Sequence, residues 1–278
     1  MKYAIAIVAL SAAPALAECP APEVMTAAAE SWLAGERLAD PGVSNLEEAA
    51  CAYAPFRARL EQEYGAPVGV KVGFTSKPAQ ERFGVDGPVA GAMFQPMLIE
   101  NGGTLSMAGS RSPLFEADLV VTVKDPEALA AATTREEAAA ALADVQAFIE
   151  IPDMALAEDV KPNGPIMASY GVIPWRGVLG DAVTLSDLSD PVADLAALSV
   201  TLTADGKVMD EARGDSLLGH PLDVVLWLVG QGDYGLAEGS MISLGSLGAL
   251  HPAAAGQKIS ADYAVGGKTM KVAFETAP

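Results

Sequence analysis

The sequence predicts an α+β protein: a helical N-terminal segment leading into one large β-rich domain. Three observations predict it. Residues 22 to 64 are alanine-rich and amphipathic and carry helix-start and turn signals. From Val68 onward the pattern changes to short β-branched, apolar runs divided by glycine turns. The 278 residues are 51% hydrophobic and show no internal repeat, which suits a single large core.

The elements follow in order. Residues 1–17 read as a secretory leader: Lys2 supplies the basic region, Ala4 to Leu10 the apolar one, and Ala15-Leu16-Ala17 a small-x-small cleavage site. Cleavage after Ala17 predicts a periplasmic or secreted protein. The apolar stretch is too short to be an anchor, and Glu18 stands where a lipid-attachment cysteine such as Cys19 would need a small residue. No later segment runs long enough without charge to span a bilayer, so no membrane partner is expected after cleavage. Residues 18–65 form the helical segment. Pro41-Gly42 divides it, and Ser44-Asn45-Leu46-Glu47 reads as the capping box of its second helix. Cys19 and Cys51 are the only cysteines, and in an oxidising compartment an even pair predicts a disulfide, stabilising by roughly 3 kcal/mol. Residues 66–278 form the main domain. Strands are predicted at 68–74, 119–123, 147–151, 200–204, 241–244, 259–264 and 271–274. A helix capped at Thr134 is expected to end near Asp144, and another begins at Pro221.

Charge narrows the partners. Seventeen Lys and Arg face 36 Asp and Glu, a net charge of −19, and the leader removes only Lys2 from this balance. Such a chain disfavours nucleic acid and anionic membranes. An anionic substrate would need a local positive site.

The chemistry-bearing residues are charges that interrupt apolar strands. Glu116 and Asp118 stand two apart before Leu119-Val120-Val121-Thr122-Val123, so both face one side of a strand that otherwise belongs in a core. Glu150 interrupts Phe148-Ile149-Glu150-Ile151 in the same way. Unpaired buried carboxylates are costly. Basic residues are scarce nearby, which argues against plain salt bridges, and three carboxylates on adjacent strands suit Mg²⁺ or Mn²⁺. Lys71, inside Gly69-Val70-Lys71-Val72-Gly73, is either an edge lysine facing solvent or a partly buried acid/base group. The glycine- and proline-rich run 83–94 implies a shaped loop. His220, beside Pro221, fits a structural cap better than catalysis.

Taken in order, Lys71-Val72-Gly73-Phe74-Thr75-Ser76, Phe83-Gly84-Val85-Asp86, the Glu116/Asp118 pair, Glu150-Ile151, Leu218-Gly219-His220-Pro221-Leu222 and Gly245-Ser246-Leu247-Gly248 resemble the fumarylacetoacetate hydrolase superfamily. Within it they are most similar to the 2-oxopent-4-enoate hydratase and 4-oxalocrotonate decarboxylase branch. The resemblance implies a mixed β-roll with flanking helices. It implies Glu116, Asp118 and Glu150 as ligands of a divalent cation, Lys71 as the active-site lysine, and Ser76, Ser169 and Ser246 as substrate-binding residues. It implies a small 2-oxo or 2-hydroxydienoate acid as substrate, by hydration, decarboxylation or carbon–carbon hydrolysis. Relatives of this kind are often homo-oligomers. The chain departs from the family pattern at Asp118, where glutamate is usual, and at Leu114, Met154, Ala155 and Met167, where polar residues are usual. The cage looks intact and the polar shell thinned, which keeps open a second reading as a non-catalytic binding protein for oxo acids or metal. A purely structural β-rich protein is the third reading.

Overall fold

The computed structural model describes residues 19–232 and 234–278; the leader at residues 1–17 and its cleavage point lie outside the described residues. Helix α1 (Pro22–Leu33) starts on a proline, whose missing N–H costs nothing in a first turn. Helix α2 (Leu46–Tyr64) is capped by Asn45, which accepts from Glu48 N at 2.9 Å. Glu48 in turn accepts from Ser44 N and Oγ at 2.7 and 2.8 Å. The cap thus sits one residue later than the expected Ser44: Asn45 Oδ1 meets the Glu48 backbone donor, while the Ser44 hydroxyl is taken by the Glu48 carboxylate. Cys19 and Cys51 are joined, as expected, and tie the chain before α1 to α2.

The rest alternates strands with short helices: β1 (Gly69–Gly73), α3 (Lys77–Phe83), β2 (Val89–Met93), β3 (Leu98–Glu100), β4 (Thr104–Ser106) and β5 (Leu114–Val123). Then come α4 (Pro126–Ala131), α5 (Arg135–Ala140), β6 (Leu142–Ile151), α6 (Gly164–Ser169), β7 (Arg176–Thr184), α7 (Pro191–Ala197), β8 (Ser199–Ala204) and β9 (Lys207–Arg213). Helix α8 (Pro221–Gly230), β10 (Met241–Ser243), β11 (His251–Pro252), β12 (Lys258–Val265) and β13 (Lys268–Ala277) complete the fold. One sheet runs β2-β1-β10-β5-β6-β7-β3, with β11 also on β5; the other runs β4-β13-β12-β8-β9. Both mix antiparallel pairs with parallel ones, β1 with β10, β3 with β7 and β4 with β13.

Several boundaries differ from expectation. Helix α5 has its capping box at Thr134 but stops at Ala140, because Leu142 onward pairs with both β5 and β7. Tertiary pairing overrides the local alanine run. The run 83–94 contains strand β2. Strand β7 escaped notice because it holds two glycines. A Cβ on Gly177 would lie 2.2 Å from the Phe148 ring, and one on Gly180 would lie 2.5 Å from the Lys271 carbonyl on β13. Gly177 makes room for the Phe148 ring within its own sheet, and Gly180 lets β13 of the other sheet approach. Across the same contact, Tyr263 of β12 sends its hydroxyl between the Asp118 and Phe148 carbonyls, 2.8 Å from each. Helix α2 packs on α1 and α6, with Phe56 edge-on to Tyr170 at 5.2 Å.

Candidate active site

Strands β5 and β6 pair antiparallel in a register that sets Glu116 opposite Glu150. Asp118, two residues on, shares that face. Their relative exposures are 7%, 4% and 0%. Lys71 enters from β1, at the register of Ser243 on β10, and is itself only 5% exposed, so the solvent-facing reading does not hold. Its ammonium donates to Glu150 Oε1 and, at 3.2 Å, to the Val172 carbonyl. Val172 sits at φ 61° and Ile173 at φ 45°, in the left-handed region that β-branched residues rarely adopt. That strained turn presents the carbonyl which Lys71 uses. Asp118 is held by three donors: Ser243 Oγ at 2.6 Å, Gly245 N at 2.9 Å and its neighbour's Leu119 N. Gly245 must be glycine there: φ is 93°, and a Cβ would lie 2.2 Å from Thr75 Oγ1.

The electrostatics are unbalanced. One lysine faces three buried carboxylates, so Glu150 has an ion-pair partner after all, while the other two acids lack one. Burial first, and then the Glu150 charge, push Glu116 up to about 8 and Asp118 up to about 7. Lys71 pulls both back in part, as do Ser246 for Glu116 and Ser243 for Asp118. The donor set is all oxygen, buried and short of positive charge, which fits a hard divalent cation. Among the described residues, no three His, Cys, Asp or Glu side chains converge on one ligating point as they stand, because Glu150 is turned to Lys71 and Asp118 to Ser243 and Gly245.

A cavity of about 80 Å³ opens on Lys71, Glu116 and Glu150. Ser76 and Ser246 both line it. Ser76 also caps α3, and Ser246 Oγ lies 3.1 Å from the Gly248 carbonyl. Ser169, expected at the substrate, is not in its wall. That residue is fully buried, and its hydroxyl donates to Ile166 O at 2.8 Å within α6. Met154 and Met167, two of the departures from the family pattern, do line the cavity. Asp153 is committed elsewhere. It accepts from Arg111 N and Ser112 N at 2.9 and 2.6 Å and pairs with the Arg111 guanidinium at 3.3 Å. Arg111 lies 4.1 Å over the Trp32 ring, tying α1 to the end of β6. His220 caps α8 through Nδ1, accepting from Leu222 N at 3.0 Å, with Nε2 at 2.9 Å from the Val192 carbonyl. Burial lowers its pKa, as suits a neutral brace.

Ser243 and Tyr263 were not singled out from sequence. The only signal for Ser243 was a hydroxyl inside an otherwise apolar strand, and Tyr263 follows the ordinary in-out alternation of β12.

A 2-hydroxyhexa-2,4-dienoate hydratase of Comamonas testosteroni is 32% identical to this chain over 210 residues, 72% of this chain and 76% of the relative. A 2-keto-4-pentenoate hydratase of Burkholderia vietnamiensis is 31% identical over 163 residues, 58% of this chain and 59% of the relative. Among solved structures, 4-oxalocrotonate decarboxylase from Pseudomonas putida G7, complexed with magnesium and adipate, aligns with a TM-score of 0.76 at 22% identity, covering 92% of this chain and 98% of that one. No protein-family model matches the chain.

Proposed function

Because the chain belongs to the fumarylacetoacetate hydrolase superfamily, in the branch of the 2-keto-4-pentenoate hydratases and 4-oxalocrotonate decarboxylases, we propose that it is a divalent-metal-dependent hydratase of a small 2-hydroxydienoate or 2-oxo acid. The observation that carries this reading is the buried cluster of Glu116, Asp118 and Glu150 with Lys71 at its edge. Glu116, Asp118 and Glu150 would hold Mg²⁺ or Mn²⁺, both of which favour oxygen ligands. When bound, the cation would supply Lewis-acid stabilisation to negative charge developing on the substrate's oxygens.

The protein's own groups do the rest. Lys71 moves the proton, taking it from the dienol hydroxyl or giving it to carbon as the 2-oxo form develops. The Val172 carbonyl and the Glu150 carboxylate hold the lysine in place. Ser76 and Ser246 offer hydroxyls to the substrate from the cavity wall. The apolar remainder of the wall excludes bulk water and strengthens each of these polar contacts. Addition of one water across the distal double bond then gives a 4-hydroxy-2-oxo acid. Decarboxylation or carbon–carbon hydrolysis would draw on the same charge pattern, so those reactions are the second reading. The non-catalytic binding reading has no support from the relatives, which are named for enzymes. We assign catalysis to residues 66–278, with 18–65 as a bracing helical segment, and place the mature protein in the periplasm or outside the cell. The leader motif and the Cys19–Cys51 bond favour export.

The test is to supply purified protein with Mg²⁺ or Mn²⁺ and follow loss of the dienol absorbance of 2-hydroxypenta-2,4-dienoate. Turnover that disappears in Glu116→Gln and Lys71→Met is expected. Absence of turnover with either metal, across dienoates and acylpyruvates, would overturn the reading.

A further inference from the structure

The loop on one side of the cavity is fastened from the other sheet. β10 and β11 both pair with β5, and residues 244–250 run between them. The first half of this run is sewn to β5: Leu244 N and Leu247 N donate to the Leu119 and Ala117 carbonyls, each at 2.8 Å. Gly245 N donates to Asp118 Oδ1, and Ser246 and Leu250 line the cavity with Glu116. The loop thus gives one acid a donor and another part of its surroundings. The next pairing to β5 comes only at His251, opposite Phe115. Gly245 at φ 93° and Gly248 at φ 114° give the span wide backbone freedom. Such a span keeps one shape only where contacts outweigh the entropy it loses.

Asp210 supplies the contact. It stands on β9, the edge strand of the second sheet, beside a register shift that leaves Met209 without a cross-strand partner. A bulge of this kind re-aims the neighbouring side chain. Asp210 Oδ2 accepts from Ala249 N at 2.6 Å, while Oδ1 accepts from Glu211 N at 2.9 Å. Bonds of a backbone N–H to a carboxylate are among the stronger ones. The carboxylate lies so near the loop that a Cβ on Gly248 would meet Oδ2 at 2.4 Å. The Gly248 carbonyl in turn lies 3.1 Å from Ser246 Oγ. His251 flanks the same oxygen: its Nε2 is 3.6 Å from Asp210 Oδ2, and its ring is 5.6 Å from that of Phe115, the neighbour of Glu116.

We infer that Asp210 is a positioning residue for this site. It does not line the cavity. It acts through the loop, holding the turn at Gly248 and Ala249 so that Ser246 Oγ faces the cavity and Gly245 N meets Asp118. The inference rests on the proposed reaction for its kinetic readout and adds a residue of the second sheet to the machinery.

The experiment compares the full chain with Asp210→Ala, Asp210→Asn, Ser246→Ala and the double variant Asp210→Ala/Ser246→Ala. It measures turnover of 2-hydroxypenta-2,4-dienoate with Mg²⁺, calorimetric titration with Mn²⁺, melting temperature, and deuterium exchange of the peptide spanning 244–250. Asp210→Ala is expected to speed that exchange and to lower kcat/KM by about tenfold or more, because small misplacements of positioned groups are costly to rate. It should also weaken Mn²⁺ severalfold, through the lost hold on Asp118. Asp210→Asn keeps an oxygen for Ala249 N and should recover most of each loss. The double variant should lose no more kcat/KM than the larger single loss, since both changes undo one arrangement. A brace that served stability alone would lower the melting temperature and leave kcat/KM and Mn²⁺ affinity where they were, and that result overturns the inference. Losses that multiply in the double variant overturn it as well. If no dienoate turns over but Asp210→Ala still weakens Mn²⁺ and Asp210→Asn restores it, the proposed reaction fails and the positioning role stands. Unchanged turnover in Asp210→Ala leaves the reaction in place and removes the role.

Discussion

Lys71 shows how much one side chain settles in this protein. It is the lone cation among three buried acids, so removing it should cost more than a lost contact. Lys71→Met in metal-free protein is expected to destabilise by roughly 3–5 kcal/mol, because Glu150 would be left buried and unpaired. Adding Glu150→Gln should recover much of that loss, which chemical denaturation of the single and double variants would show. His220 makes the opposite case. His220→Ala removes a helix cap and should cost about 1 kcal/mol in the same assay, with Mn²⁺ affinity by titration unchanged. The acids, the lysine and the capping histidine were all legible in the sequence, each for the same reason: a charge or ring interrupts a run that should be apolar or precedes a helix-starting proline. Their supporting residues were not. Ser243 and Tyr263 are residues any strand tolerates, and only the register of distant strands gives them work on Asp118. Ser169 misled because its neighbourhood in sequence matched, while its hydroxyl had a nearer acceptor in its own helix.

At the level of elements, the strands that carry charge announced themselves and the strands that carry glycine did not. β5 and β6 were anticipated in their apolar halves and prove longer at their N-terminal ends, Leu114 and Leu142. β7 and β9 lack the β-branched signature, β7 because Gly177 and Gly180 make room for a neighbour. Helix α2 was clear from its alanine face, with the cap displaced to Asn45. Asn45→Ala should therefore lower stability by about 1 kcal/mol, and Ser44→Ala by less, when thermal melts of the two are compared. The Cys19–Cys51 bond closes a separation of 32 residues, for which chain entropy gives about 3–4 kcal/mol. Cys51→Ser should lose that amount. Because α2 packs on α6, which carries the cavity residue Met167, the loss should also raise KM for the substrate.

Over the whole molecule, the buried acids couple stability to pH. Folding raises Glu116 from 4.5 to about 8 and Asp118 from 3.8 to about 7, so the metal-free folded protein keeps protons that the unfolded chain gives up. Their contribution is fully present below the lower of those ordinary values and is lost as pH rises through the raised ones. Metal-free protein is expected to melt at a lower temperature at pH 8 than at pH 5, and Glu116→Gln should flatten part of that slope. On the proposed assignment Mg²⁺ or Mn²⁺ would bind the ionised acids, so it should raise the melting temperature more at pH 8 than at pH 5. Scanning calorimetry across that range with and without metal checks both statements. The hydroxyl of Tyr263 adds an order of events to this picture. It reaches the Asp118 and Phe148 carbonyls from a strand in the last hairpin, more than a hundred residues downstream of either. A chain threaded N-terminus first presents both acidic strands before it presents their clasp. The candidate site therefore cannot be completed before the last hairpin is in place.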